Sequence, residues 1–312
     1  MSVRLKALGL VLVFLLTSLL GYWFVLDVET DPPVLQSESL DGRDIVYFGV
    51  ISRYSPRSII AGYQPLMEYL TANTPYHFKL RLSRTYLETV RQLSQGEIDF
   101  ASLGNYTYIN APNQYGFKCI AMPINASGTL ENYDDIIVRN DSPAHSLKDL
   151  EGKSFAFASR QSFSAWMAIW MLAKAGITLD QLSHHEHLSY HDIVAEKVLR
   201  GDFDAGMVKS IVAEQYHDQG IRVLERSPAI PSVPVVVGSH VAPEKVKFVL
   251  EALLSLSDRI ASGDLSTAGW DREVAYGFRP GSDSLYHFPR SILKELGQAN
   301  AASPLEDGQN AD

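Results

Sequence analysis

Leu93-Ser94-Gln95-Gly96-Glu97-Ile98-Asp99-Phe100-Ala101 and Val198-Leu199-Arg200-Gly201-Asp202-Phe203-Asp204-Ala205-Gly206 repeat one pattern about a hundred residues apart. Each reads as the end of an amphipathic helix, then a glycine, an acid, an apolar residue, an aspartate and small residues. The glycine supplies the left-handed backbone that stops a helix, and the residues after it re-enter as a buried strand. Two such joints, each preceded by its own strand and helix, predict two α/β lobes of similar build rather than one large sheet. Proteins built this way bind ligands between the lobes.

Around the first joint, Asp44–Ile51 is rich in strand formers, Arg53-Tyr54-Ser55-Pro56 is a loop, and apolar spacing predicts a helix near 58–71. Strands follow at 78–82 and 98–103, with a helix from the cap Thr85 through Gln95 between them. Around the second joint the pattern predicts strands at 154–158, 187–189 and 203–208, with helices from Ser162 to Ala175 and from His191 to Arg200. The chain crosses between lobes near 133–138 and 228–236, and Val233–Val237 returns it to the first lobe, where a helix over 243–262 packs. Lobe I is therefore expected to hold residues 45–135 plus 234–300, and lobe II residues 136–233. Residues 27–44 read as a polar linker and residues 301–312 as a disordered tail.

The chain of 312 residues is 46% hydrophobic, enough for well-packed cores. Residues 27–312 hold 25 basic and 36 acidic side chains, a balance of −11 that argues against a nucleic-acid partner. The single cysteine, Cys119, forbids an intrachain disulfide and any multi-cysteine metal site, and reads as a buried, inert thiol. Arg4 and Lys6 precede Ala7–Leu26, twenty uncharged residues, long enough as a helix to span roughly 30 Å of hydrocarbon. With the basic residues on the cytoplasmic side, the remainder lies outside. No A-x-A cleavage site stands there, no cysteine near Gly21 offers a lipid attachment, and Tyr22-Trp23-Phe24 resemble an interfacial belt. The reading favours an uncleaved signal anchor over 1–26, with a cleaved signal peptide as the alternative.

The strongest chemical signal is Phe155-Ala156-Phe157-Ala158-Ser159-Arg160-Gln161-Ser162-Phe163-Ser164-Ala165-Trp166. A buried strand enters a short polar loop and then a helix, so free backbone N–H groups and hydroxyls gather at the strand's carboxyl end, as in an anion site. The plainer alternative is that Ser162 only caps the helix. His184-His185-Glu186-His187 resembles a metal cluster, but alternation along a strand would separate its members, and a solvated edge is favoured. No nucleophile–base spacing, phosphate loop or dinucleotide fingerprint marks an enzyme, and no cofactor is implied.

Several motifs fall in the order of a known family: Phe48-Gly49-Val50; Tyr63-Gln64-Pro65-Leu66 with Tyr69-Leu70, like W-x-P-L-x-x-Y-L; Thr85-Tyr86; Gly96 to Ala101 with Gly104; Gly128 and Tyr133; Ser146 to Lys153; Ser162-Phe163-Ser164, like S-T-S; His191; and Ser227-Pro228 with Ile230-Pro231. Over residues 45–260 the chain resembles the phosphate/phosphite/phosphonate solute-binding proteins of ABC transporters. The resemblance implies a two-lobed, type II periplasmic-binding fold with a hinged cleft, no catalysis, a small phosphorus oxyanion as ligand, and an ABC permease as partner. A membrane sensor on the same fold is the alternative, and a metal-binding protein the more distant one. It also implies that the Ser162 and Ser164 hydroxyls and the Phe163 N–H hold ligand oxygens, although Phe163 departs from threonine and loses a hydroxyl. His191 matches a ligand-facing histidine. Tyr54 is the expected donor from the opposite lobe, with Asn105 and Tyr86 at further cleft-facing positions. Where relatives hold an aminoalkyl ammonium with polar groups, this chain has Leu103, Ile211 and Val233.

Overall fold

A computed structural model describes residues 42–111 and 113–298. The expected anchor, most of the linker and the expected disordered tail lie outside the described residues.

The first sheet starts with β1 (Ile45–Val50), whose residues are nearly all buried, as a central strand requires. Ser55 then caps α1 (Pro56–Asn73), with its side chain accepting from the Ser58 N–H and Pro56 in the first turn. Ile59, Tyr63, Leu66, Met67 and Leu70 fall on one face of this helix and are buried. β2 (His77–Leu82), α2 (Tyr86–Ser94, capped by Thr85), β3 (Phe100–Ser102) and the short α3 (Asn105–Ile109) complete the first βαβαβ run. β4 (Lys118–Pro123) leads towards the crossover.

The crossover is a two-stranded antiparallel ribbon: β5 (Glu131–Asn132) pairs with the later β11 (Ile230–Pro231), Ile230 opposite Asn132. Between its strands lies the second sheet. It contains β6 (Asp134–Arg139), β7 (Ser154–Phe157), α4 (Phe163–Lys174), β8 (His184–His187), α5 (His191–Arg200), β9 (Ala205–Lys209), α6 (Ser210–Tyr216) and β10 (Ile221–Arg226). After the ribbon, β12 (Val235–Val237), α7 (Pro243–Ala261), β13 (Phe278–Pro280) and α8 (His287–Glu295) follow. The sheets run β13-β4-β12-β3-β1-β2 and β10-β6-β9-β7-β8. In each, the parallel strands that bear the helices lie to one side and the antiparallel strands to the other.

Both repeated joints fold as expected. Gly96 (φ 77°) and Gly201 (φ 80°) adopt the left-handed region, and β3 and β9 follow them. The strand expected at 187–189 instead covers His184–His187, paired in parallel with β7. Its histidines look too polar for a strand, yet at a sheet edge only alternate side chains turn inward, and His187 stacks on Phe157 with ring centroids 5.1 Å apart. The C-terminal α8, grouped with lobe I from the sequence, packs Ile292 and Leu293 into the second apolar cluster beside α4. Trp170 and Lys174 of α4 both reach Glu295, at 3.0 and 2.6 Å.

Candidate functional site

The carboxyl ends of parallel strands β1, β3 and β7 meet where the two sheets face each other, the place where open α/β sheets bind ligands. The helices that follow begin there. Ser162, Phe163 and Ser164 open α4, His191 opens α5, Tyr86 opens α2 and Asn105 opens α3; all six line one cavity. Only about 20 Å³ of open space remains in it, little more than a water molecule needs. Ile51, Val233 and Ile230 add an apolar wall.

Ser162 occupies the cap position of α4 without capping it: no side-chain cap bond forms, and its hydroxyl lies 3.3 Å from His191 Nε2. The plainer alternative of a structural cap therefore fails, and a buried hydroxyl is left facing the cavity. Tyr86 lies against Ser162 and is buried, which raises its phenol above the ordinary range. Asn105 donates to the Pro231 carbonyl at 2.9 Å, leaving its own buried Oδ1 without a partner. His191 Nδ1 is likewise buried and unpartnered. Burial pushes this imidazole down to about 3, with Lys209 and Arg53 acting the same way, so the ring is neutral.

Three charged residues also line it: Arg53, which the sequence places near the cleft loops with solvated surface as its default, and Asp134 and Lys209, which the sequence did not single out. Arg53 is buried, donates to the Ser102 hydroxyl at 2.7 Å and pairs with the equally buried Glu273. Burial disfavours the Arg53 charge, but Glu273 and neighbouring groups more than offset this and hold the guanidinium ionised. Lys209 reaches the other oxygen of Glu273 at 2.5 Å. Burial alone would raise the Glu273 carboxyl; Arg53 and Lys209 outweigh it and hold the group below its ordinary value. Arg53 belongs to the loop after β1 and Lys209 ends β9, so this triad joins the two sheets. The Arg53 carbonyl also accepts from the His191 N–H at 3.2 Å.

Tyr54, expected as the donor from the opposite lobe, does not line this cavity. Its neighbour Arg53 turns inward instead, and Tyr54 borders a separate cavity with Asp271 and Trp270, its ring centroid 6.3 Å from that of His191. Leu103 is buried but does not line the cavity, and Ile211 borders an adjoining one of about 200 Å³. That larger space has three cations, all committed: Arg226 to Asp135, Arg272 to Glu214 and Lys209 to Glu273. Among the described residues, no group of three His, Cys, Asp or Glu side chains is placed to hold a metal ion. His187 Nδ1 lies 2.9 Å from the Ala158 carbonyl.

A family model for the periplasmic substrate-binding protein of phosphonate ABC transporters matches residues 48–286. Among solved structures, a binding-protein component of an ABC phosphonate transporter from Pseudomonas aeruginosa is 18% identical, with a TM-score of 0.69 over 85% of this chain and 92% of that one. A Prochlorococcus marinus protein in complex with methylphosphonate is 17% identical, with a TM-score of 0.72 over 81% and 98%. The periplasmic aliphatic sulphonate binding protein of Escherichia coli is 18% identical, with a TM-score of 0.55 over 82% and 93%. These likenesses establish the two-lobed, type II periplasmic-binding fold. The chain belongs to the family of periplasmic substrate-binding proteins of phosphonate ABC transporters.

Proposed function

We propose that this member of the family binds a small phosphorus oxyanion, phosphate, phosphite or an alkylphosphonate, between its lobes and presents it to an ABC permease. One observation carries the reading: at the start of α4 the Ser162 hydroxyl leaves its capping role and turns to His191 inside the cavity. Serine hydroxyls and first-turn N–H groups hold an anion by fixed dipoles, which suits a protein with a net negative charge. Ser164, Tyr86 and Asn105 supply further polar groups from both lobes, so bound ligand favours the closed state that a partner reads.

The site binds and does not transform. Ser162 and His191 resemble a nucleophile and base, but the unpartnered His191 Nδ1 lacks the third group that would orient the ring, and a ring held near pKa 3 is a poor base. Ala7–Leu26 tethers the folded part outside the inner membrane, and an uncleaved anchor also favours a second role as the input of a membrane sensor.

Calorimetric titration of the full-length chain with methylphosphonate, phosphate, phosphite and 2-aminoethylphosphonate tests the proposal. One of the first three is expected to bind most tightly, because Ile51, Val233 and Ile230 wall a cavity with about 20 Å³ of open space, which leaves an aminoethyl arm no solvated place. Tightest binding by the aminoethyl compound would overturn the ligand preference, and no binding by any of the four would overturn the function.

A further inference from the structure

Asp134 is out of place in an anion site. It opens β6 directly after the crossover ribbon, is 1% exposed and lines the same cavity as Ser162 and Ser164. Its backbone is satisfied, with its N–H donating to the Ser227 hydroxyl at 3.0 Å. Its carboxylate is not: both oxygens are sealed from solvent and neither makes a hydrogen bond of ordinary length and angle. Lys209, opposite Asp134 in the β6–β9 register, acts on it as the nearest cation but makes its ion pair with Glu273. The Ser164 hydroxyl is the nearby side-chain donor that acts on it; a buried carboxylate with so few donors is costly, and a further donor is most simply a group of the ligand.

We propose that Asp134 is the specificity-determining residue of the cleft, accepting a hydrogen bond from a P–OH so that the protein takes a protonated phosphorus oxyanion and rejects sulfonates and sulfate. The inference rests on the proposed phosphorus-oxyanion site at Ser162 and Ser164. Phosphate and phosphonates lose their last proton near neutrality and can carry it into the cleft. Sulfonates are fully ionised there and bring only lone pairs towards the Asp134 oxygens. A site built to pair with a ligand hydroxyl rejects the analogue that lacks it, because its own buried group is then left unpaired. The question is a real one for this architecture, since a protein of the same fold is named for aliphatic sulphonates.

One proton serves the contact, whether it starts on the ligand or on Asp134. Five groups act on or feel the carboxylate: Lys209 from β9, Ser164 from α4, Asp135 beside it, Glu273 from the loop before β13, and Tyr86 from α2. Burial dominates and pushes Asp134 up to about 6, with Lys209 and Ser164 opposing it and the two acids reinforcing it. Below that value Asp134 is itself a donor and its discrimination fades; above it the carboxylate only accepts.

The test is calorimetry on the full-length chain with methylphosphonate and methanesulfonate, which share a tetrahedral head and a methyl group. At pH 7 methylphosphonate is expected to bind about a hundred-fold tighter or more. Lowering the pH to 5.5 should narrow that ratio. Asp134→Asn, whose amide supplies an N–H, should raise methanesulfonate affinity about ten-fold or more and remove most of the preference. Comparable binding of both ligands by the wild-type protein, a ratio that does not change with pH, or a preference undiminished in the variant would each overturn the role of Asp134 while sparing the phosphorus-oxyanion site. Binding of none of methylphosphonate, phosphate and phosphite would overturn the site and this inference together. The wild-type pH series decides the matter even if the variant fails to fold.

Discussion

At the scale of single residues, the cleft separates binding from folding to an unusual degree. The Ser162 hydroxyl makes no cap bond, so Ser162→Ala removes the proposed ligand contact without removing a helix cap. Ser162→Ala and Ser164→Ala are each expected to weaken oxyanion binding by about 1.5–3 kcal/mol, roughly ten- to a hundred-fold, with melting temperatures near wild type. Calorimetry beside thermal denaturation checks this; wild-type affinity in both variants would place the site elsewhere. His191 behaves oppositely, because its burial couples it to stability. The ring is neutral when folded, held at about 3, and regains its ordinary 6.5 when unfolded. Below pH 6.5 the unfolded chain therefore binds more protons, and stability is lost as pH falls from 6.5 towards 3, by about 2 kcal/mol at pH 5. His191→Asn should lose that much less between pH 7 and pH 5 in urea titrations, and an unchanged pH slope would contradict the buried neutral ring. The serines could be read from a polar loop entering a helix, and His191 from its match to the family motif; the structure places all three at one cavity. Asp134, Lys209 and Glu273 could not be read, and the sequence places Arg53 near the cleft loops only with solvated surface as its default, since a lone charged residue reads as solvated surface. What makes Arg53 an interior residue is Glu273, 220 positions away. Arg53, not the adjacent Tyr54, lines the cavity, and a loop has no periodicity to say which neighbour turns inward.

At the scale of elements, the two glycine joints stop α2 and α5 with left-handed residues, and the cost of replacing them differs with what a Cβ would meet. At Gly96 a Cβ would find the His240 ring at 3.6 Å, an ordinary contact, so Gly96→Ala carries only the backbone penalty of about 1–2 kcal/mol. At Gly201 it would also strike the Arg139 guanidinium, a flexible group that can move aside. Gly206 has no backbone strain to relieve, but there a Cβ would lie 2.9 Å from the Ala156 carbonyl and 2.8 Å from Val194, where α5 crosses the sheet. Gly206→Ala is therefore expected to destabilise more than Gly96→Ala, and equal urea midpoints would refute that ordering. The joints and the elements around them could be read from the sequence because helix period, cap and glycine agree there. β4, β10 and β13 gave no such agreement: β10 is largely exposed, and β13 is three residues long. α8 also went unread, since a short helix near the chain's end takes its place from tertiary contacts with α4.

At the scale of the whole molecule, the question is what holds the lobes together. The sheets are joined covalently by the β5–β11 crossover, and across the cleft by Lys209 and Arg53 converging on Glu273 and by Arg272 with Glu214 at 2.5 Å. These contacts are not equal. The side chains of Arg272 and Glu214 are 42% and 50% exposed, and a pair so hydrated contributes about 0–1 kcal/mol. Glu273 is 2% exposed and neutralises two cations, one from each side of the cleft. Removing its charge takes the paired carboxylate from both and leaves Asp271 and Asp134 as the remaining acids acting on them, which costs up to about 3–5 kcal/mol and is relieved most directly by letting the lobes part. Glu273→Gln is therefore expected to lower the melting temperature and to enlarge the radius of gyration in X-ray scattering, whereas Arg272→Gln should change neither. An oxyanion near Lys209 and Arg53 would partly replace the lost carboxylate, so a saturating phosphorus oxyanion should return the Glu273→Gln protein towards wild-type dimensions. A variant that scatters and melts like the wild type would show that the triad does not govern closure.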